Sequence, residues 1–344
     1  MCYTNILQIL DLAGIPFINE ERTWEDPIVI GGGPCAYNPE PIAPFFDLFY
    51  IGEGETQYRA LLDLYKKDRA SGVSREEFLR HAANIPGIYA PACYEVSYDE
   101  QGIISEFKAK YDDVPAKVRK EVETNLSDTY YPVKPVIPFI KSTQDRLVLE
   151  IQRGCTRGCR FCQAGQLYRP IRERDVEVLK QYAKELIENT GHEEISLSSL
   201  SSSDYSQLED LLLFLIDECS KKKINISLPS LRIDAFSLDI MSKIQDVKKT
   251  SLTFAPEAGT QRMRNVINKG LTEEVILDGA KLAFEGGWNK VKLYFMLGLP
   301  LETDEDIAGI GALCNEIAKV YYETVPKEKR NGRVQITAST SFFI

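Results

Sequence analysis

Apolar and polar positions alternate with different periods in three successive stretches of the chain. In the first, Ile6, Leu7, Leu10 and Ala13 recur at helical spacing. Pro27-Ile28-Val29-Ile30 then runs into Gly31-Gly32-Gly33, a buried strand stopped by a glycine turn. Leu48 to Ile51 make a second apolar strand ended by Gly52, and Tyr58 to Lys67 form an amphipathic helix. Strands apolar on both faces belong inside a parallel sheet. Three helices and two strands are too few to cover such a sheet. Residues 1–75 are therefore expected to be part of an α/β domain that docks on the rest or continues upstream.

Residues 76–144 lose this regularity. Pro86, Pro91, Pro115, Pro132, Pro135 and Pro138 interrupt short alternating segments such as Tyr94 to Tyr98. This stretch is expected to be an irregular connector with one hairpin turning at Asp99-Glu100-Gln101-Gly102. The charged run at 117–123 is expected to be a solvated helix face.

From residue 145 onward the period switches back and forth. Strands fit at 146–153, 193–199, 224–232, 250–257, 290–297 and 333–344. Helices fit between them at about 173–190, 206–222, 237–248, 271–286 and 304–324. Six strands separated by helices imply a parallel sheet with right-handed crossovers. A partial (β/α)6 TIM-like barrel over 145–344 is the expected fold, with its site at the carboxyl ends of the strands. The final strand stops at Phe343-Ile344 without a polar tail, so the chain is expected to continue beyond it.

Composition narrows the function classes. The 344 residues carry 41 Lys+Arg and 51 Asp+Glu, a formal charge of −10, which argues against a protein that coats nucleic acid. It leaves a local basic patch, and so nucleic acid as a partner, open. Leu211 to Ile216 is the longest run of large apolar residues, far below the roughly 20 that span a membrane. The amino terminus has neither a basic start nor a cleavage site, so a cytoplasmic protein is expected. Only His81 and His192 are present, too few for a His-rich metal site.

The eight cysteines are unevenly placed: Cys155, Cys159 and Cys162 crowd into eight residues while the other five are scattered. The crowded three follow the first barrel strand directly, at the rim where such folds place their chemistry. Thiolates spaced C-x3-C-x2-C can bind three irons of a [4Fe–4S] cube and leave the fourth open to a chelating ligand. A structural zinc site would need a fourth ligand, usually supplied as a second close pair. The next cysteine, Cys219, lies on an expected helix far along the chain. Zinc, or three unrelated buried thiols, remain the alternatives.

The spacing Cys155-x3-Cys159-x-Phe161-Cys162 closely resembles the hallmark of the radical S-adenosylmethionine (SAM) superfamily. That resemblance implies a [4Fe–4S] cluster on the three cysteines and SAM on the open iron. It implies reductive cleavage of SAM to methionine and a 5′-deoxyadenosyl radical, with a flavodoxin- or ferredoxin-type electron donor. Phe161 belongs to the hallmark itself. Where relatives carry a Gly-Gly-Glu-like segment toward the SAM amino group, this chain has Ser198, Ser199 and Ser201. Arg232 after the third strand suits the SAM carboxylate or ribose, or a surface ion pair. Phe254-Ala-Pro-Glu257-Ala-Gly259 resembles the segment that sets a Glu beside SAM. Gly298-Leu-Pro-Leu-Glu302-Thr303 is frequent in one branch of the superfamily, and mechanically it is a strand end followed by a Thr303 helix cap. Seven arginines lie between Arg146 and Arg174, at least half of them expected to be simply solvated.

The segments Val29 to Pro34, Asn38 to Pro41 and Tyr50 to Glu55 resemble the later part of a cobalamin (B12)-binding-type domain. The chain as a whole resembles bacterial B12-binding-domain radical SAM proteins. Cobalamin is thus a candidate cofactor, although the Asp-x-His-x-x-Gly cobalt motif is absent and no His precedes His81. The substrate is left unspecified. A methylthiotransferase-like RNA modification would ask Cys2, Cys35 and Cys93 to hold a second cluster. A cobalamin-dependent methyltransferase and a non-catalytic Fe–S- or zinc-stabilised interaction protein complete the alternatives.

Overall fold

The computed structural model describes residues 3–140, 142–227, 252–330 and 332–344. The chain divides into two compact units, Met1–Thr124 and Asn125–Ile344.

In the first unit, β1 (Ile30–Gly31), β2 (Leu48–Tyr50) and β3 (Ile88–Tyr89) form a three-stranded sheet in that order. β1 and β2 are parallel, as their apolar sequences suggest, and β3 adds antiparallel to the far side of β2. All three residues of β2 are buried, since apolar side chains meet it on both faces. Leu61 of helix Gly54–Ala70 joins Phe78 and Ala82 of helix Arg75–Ala83 in that core. The Ser74 hydroxyl caps the second helix by accepting from the Glu77 amide at 3.1 Å. Buried Asp47 ties the unit together, accepting from Arg22 at 3.1 Å, Arg75 at 3.0 Å and the Val29 amide at 2.7 Å.

The expected hairpin forms as β4 (Tyr94–Tyr98) and β5 (Ile104–Ala109), with the Gly102 amide donating to Asp99 O at 3.0 Å. The charged run at 117–123 is not the helix face its composition suggests. Its main chain instead pairs with the end of β2, Glu121 N donating to Ile51 O and Glu53 N to Glu121 O, both at 3.0 Å. Gly52 permits this approach: at its φ of 125° a Cβ would lie 2.2 Å from Glu121 O.

The second unit contains the six expected strands. β6 (Leu147–Glu150), β9 (Glu194–Ser198) and β10 (Asn225–Ser227) make one parallel sheet in the order β10–β9–β6. β11 (Leu252–Glu257), β12 (Lys290–Leu297) and β13 (Gln335–Phe342) make another in sequence order. Helices Val176–Thr190, Leu208–Lys222, Glu273–Glu285 and Asp304–Thr324 connect them. The expected helix at 237–248 and the end of the third strand lie outside the described residues. The fold is thus an α/β arrangement of parallel strands and crossover helices, paired among the described residues as two three-stranded sheets. Alternate strand positions (Leu147, Leu149, Ile195, Leu197, Phe254, Val291, Leu293, Phe295) share a core with Leu179, Leu211, Ile276, Phe284 and Ile317 of the helices. Most intervening positions are polar or charged (Glu150, Ser196, Ser198, Thr253, Lys292, Tyr294, Thr337 and Ser339), with Val148 an exposed apolar exception.

Candidate functional site

The chain leaves β6 through a short antiparallel pair, β7 (Gln152–Arg153) with β8 (Arg172–Glu173), and enters the cysteine loop at Gly154. Gly154 has φ 89°, and a Cβ there would meet Tyr168 O at 2.7 Å and Pro170 O at 3.0 Å. Only glycine fits both the backbone angle and the space. Cys155, Cys159 and Cys162 are half-buried thiols outside any disulfide. Two are met by main-chain donors: the Arg157 amide lies 3.4 Å from Cys155 Sγ, and the Gly165 amide 3.4 Å from Cys162 Sγ. Such N–H groups tune a metal centre bound to the sulfurs they meet.

The loop is braced from the fourth-strand side. Arg160 N donates to Ile267 O at 2.9 Å, Asn268 Nδ2 to Gly158 O at 2.8 Å, and the Arg160 guanidinium to Val266 O. Phe161 packs on Ala258, Met263, Ile267 and Leu299. Its ring also lies beneath Lys269 Nζ, 5.6 Å from the centroid, and the same ammonium pairs with Glu257 at 3.1 Å. Glu257 holds φ 70°, rare for a non-glycine residue, where the β11–β12 register shifts. Phe161 and Glu257, distant in sequence, thus share one cation.

The serine segment stands on the other side. Ser198 pairs with Glu150 in register, and its carbonyl accepts from Ile151 N at 3.1 Å. Ser199 and Ser202 hydroxyls are 2.9 Å apart. Arg157 joins this segment to the cysteine loop by pairing with Asp204 at 2.9 Å. Ser201 O accepts from Gln152 Nε2 at 2.5 Å. Among the described residues, Gln152 Oε1 and Ser201 Oγ are buried without a hydrogen-bond partner. Arg232 lies outside the described residues.

The expectation that at least half of the seven arginines are simply solvated does not hold. Only Arg160 and Arg169 are exposed. Arg153 grips Glu150 through two bonds of 2.9 and 3.0 Å. Arg172 and Arg174 are buried and donate to carbonyls that fix the turn and the strand entry. They brace the site. Lys269 and Asp204 were visible in the sequence only as neighbours of the motifs, and Gln152 was not singled out at all. Its one signal is a polar residue continuing the strand after Leu147, Leu149 and Ile151.

The donor set suits a cluster better than a single ion. Thiols spread along a loop match a cube, in which each sulfur binds a different iron, whereas a tetrahedral zinc gathers four ligands around one centre. Cys219, the nearest further cysteine in sequence, is fully buried and its thiol is pushed up to about 11 by burial. The Gly298 segment acts as its sequence suggested: Thr303 and Asp306 form a capping box on helix Asp304–Thr324. No helix among the described residues is long and apolar enough to cross a membrane.

Two parts of the chain match known protein families. Residues 1–91 match the family described as "Radical SAM proteins, N-terminal", and residues 149–314 match "Radical SAM superfamily". An uncharacterized protein of Methanocaldococcus jannaschii is 34% identical over 85% of this chain and 56% of its own length. A putative methylthiotransferase of the same organism is 30% identical over 46% of this chain and 36% of its own length. The chain spans about half the length, or less, of these curated relatives. In fold it is similar to the cobalamin-dependent S-adenosylmethionine radical enzyme OxsB, with TM-score 0.55 and 15% identity over 91% of this chain and 42% of that one. It is also similar to the radical S-adenosylmethionine methyltransferase TsrM of Kitasatospora setae, with TM-score 0.53 and 15% identity over 91% of this chain and 56% of that one. With both family matches in sequence order and the cysteine loop at the end of the first core strand, the chain belongs to the radical SAM superfamily.

Proposed function

We propose that this chain forms the cluster- and SAM-binding part of a cytoplasmic radical SAM enzyme, with Cys155, Cys159 and Cys162 as the ligands of one [4Fe–4S] cluster. The observation that carries this reading is the geometry of the cysteine loop. Three thiols follow the first core strand, two of them met by amide N–H groups, on a loop tied to the 266–268 turn by hydrogen bonds and to Asp204 by the Arg157 ion pair. A cluster held by these three thiolates would supply the one electron for reductive cleavage of SAM to methionine and a 5′-deoxyadenosyl radical, drawn from a flavodoxin- or ferredoxin-type donor.

The chain's own residues position and enclose. Phe161 walls the loop against the Met263 cluster and limits water there. Ser199 and Ser201, with Gln152 behind them, offer hydroxyl and carbonyl groups to an amine; Arg232 offers a fork to a carboxylate. Glu257, held by Lys269, would offer an acceptor to SAM. In this reading residues 145–344 are the core, 1–75 a partial cobalamin-binding-type domain and 76–144 the segment between them.

Anaerobic reconstitution with iron and sulfide, followed by a SAM-cleavage assay, tests the proposal. The expected result is about four irons per chain and 5′-deoxyadenosine from the wild type, with both lost in Cys159→Ala. Undiminished product from that variant, or zinc without iron and sulfide in the purified protein, would overturn it. A methylthiotransferase-like activity is the second reading, favoured by the relative of that description. It predicts about eight irons per chain if Cys2, Cys35 and Cys93 hold another cluster. Against it, Cys93 is buried and its thiol is pushed up to about 11 by that burial.

A further inference from the structure

The first unit contains a cavity of about 460 Å³ that the radical chemistry leaves unused. It opens where β1 and β2 end, bounded by the turn that follows β1 and by Ile51 after β2. Carboxyl ends of parallel strands are where α/β sheets bind small ligands. The hairpin covers it with Ile104 and Phe107, while Tyr89 and Val118 add further walls.

One charged group is built into this lining. Glu40 accepts a hydrogen bond from the Tyr89 hydroxyl on one oxygen and from Tyr98 at 3.3 Å on the other. Phenols orient a carboxylate without neutralising it. Among the described residues Glu40 makes no ion pair. Lys117 also reaches the lining, but from the exposed rim, where water screens its charge. The half-buried lining therefore presents a carboxylate oriented by two phenols beside aromatic faces, the combination that recognises an organic cation.

We propose that this cavity binds a flat organic cation, an aromatic or heteroaromatic ring bearing a protonated amine. The ring lies against Phe107 and Tyr89, and the ammonium faces Glu40. Burial of the phenol beside Glu40 pushes the Tyr89 hydroxyl far above its ordinary range. Tyr89 thus stays a donor at every working pH, and Glu40 keeps its orientation. All of its lining residues belong to the first unit.

The test uses the 344-residue protein and three probes of one ring system: tryptamine, neutral indole and anionic indole-3-acetate. Binding is read by calorimetry and ligand-observed NMR at low ionic strength. The expected order is tryptamine, then indole, then indole-3-acetate, with at least about tenfold between the two charged probes. Glu40→Gln should weaken tryptamine about tenfold and leave indole unchanged. Lys117→Glu, a rim change that spares the fold, should tighten tryptamine. Equal affinities, the reverse order, weaker tryptamine binding in Lys117→Glu or no binding of any probe would each overturn the proposal.

Discussion

Asp306 offers a quantitative test of how the second unit is held. Its carboxylate is 3% exposed and accepts from the Thr303 amide and hydroxyl at 2.9 Å each, as well as from Thr260 and Arg262. Burial pushes this carboxyl up, but hydrogen bonds from Arg262, Thr260 and Thr303 outweigh it and hold the group well below the usual carboxylate range. Asp306→Asn keeps the size and removes the charge. The ion pair itself contributes under about 1 kcal/mol, because Arg262 is half exposed. Loss of the capping geometry adds about 1 kcal/mol. An amide N–H2 turned against groups that are themselves donors adds about 1–3 kcal/mol. The expected destabilisation is about 3 kcal/mol at pH 7.

Urea unfolding of metal-free protein reads it. The chain has two tryptophans, so a Trp24→Phe background leaves Trp288, which sits in the same core as Leu313 and Ile317, as sole reporter of this unit. The midpoint should fall by about 1 M or more. A depressed carboxylate contributes stability that is present above its unfolded pKa of about 4 and lost as pH falls below it. The gap between wild type and Asp306→Asn should therefore narrow between pH 5 and pH 3. A gap under about 0.5 kcal/mol at pH 7, or one that does not change with pH, would refute the assignment.

Gly259→Ala should destabilise the same unit by about 2–3 kcal/mol or more, because the new Cβ would sit 2.3 Å from Ile310 N and 2.6 Å from Asp306 O, both helix backbone. The same Trp288 assay measures it, and a neutral result would mean the helix stands off the turn. Cys93 and Cys219, each pushed up to about 11 by burial, should alkylate with iodoacetamide at pH 8 roughly 100-fold more slowly in native protein than in urea. The stability these raised thiols contribute is lost as pH rises from about 8.5 toward 11. Equal labelling rates in the two states would contradict their burial.

The second unit was legible in sequence because its strands repeat one device, apolar alternation followed by a capped amphipathic helix. Thr272 and Thr303 mark two of those caps. The cysteine loop was legible because its spacing is itself the chemistry. Tertiary pairings were not. Nothing in the charged run at 117–123 announces that it lies along the end of β2, since main-chain pairing leaves no composition signal; only Gly52, at the receiving position, carries a trace of it. The roles of the arginines were hidden for a related reason. A guanidinium that donates to a distant carbonyl, as Arg174 does to Leu126 O, looks the same in sequence as one in water.

The bracing of the cysteine loop also bears on how iron reaches it. In small zinc domains the ligands converge only when the metal arrives, so loading and folding are one event. Here Gly158, Arg160 and Phe161 are already tied to the 266–268 turn by protein contacts alone. Little ordering entropy is left to be lost when the thiols take up iron. In the proposed reading, assembly would be a docking of inorganic parts onto a loop the protein has already braced, and loss of the metal would leave that bracing in place.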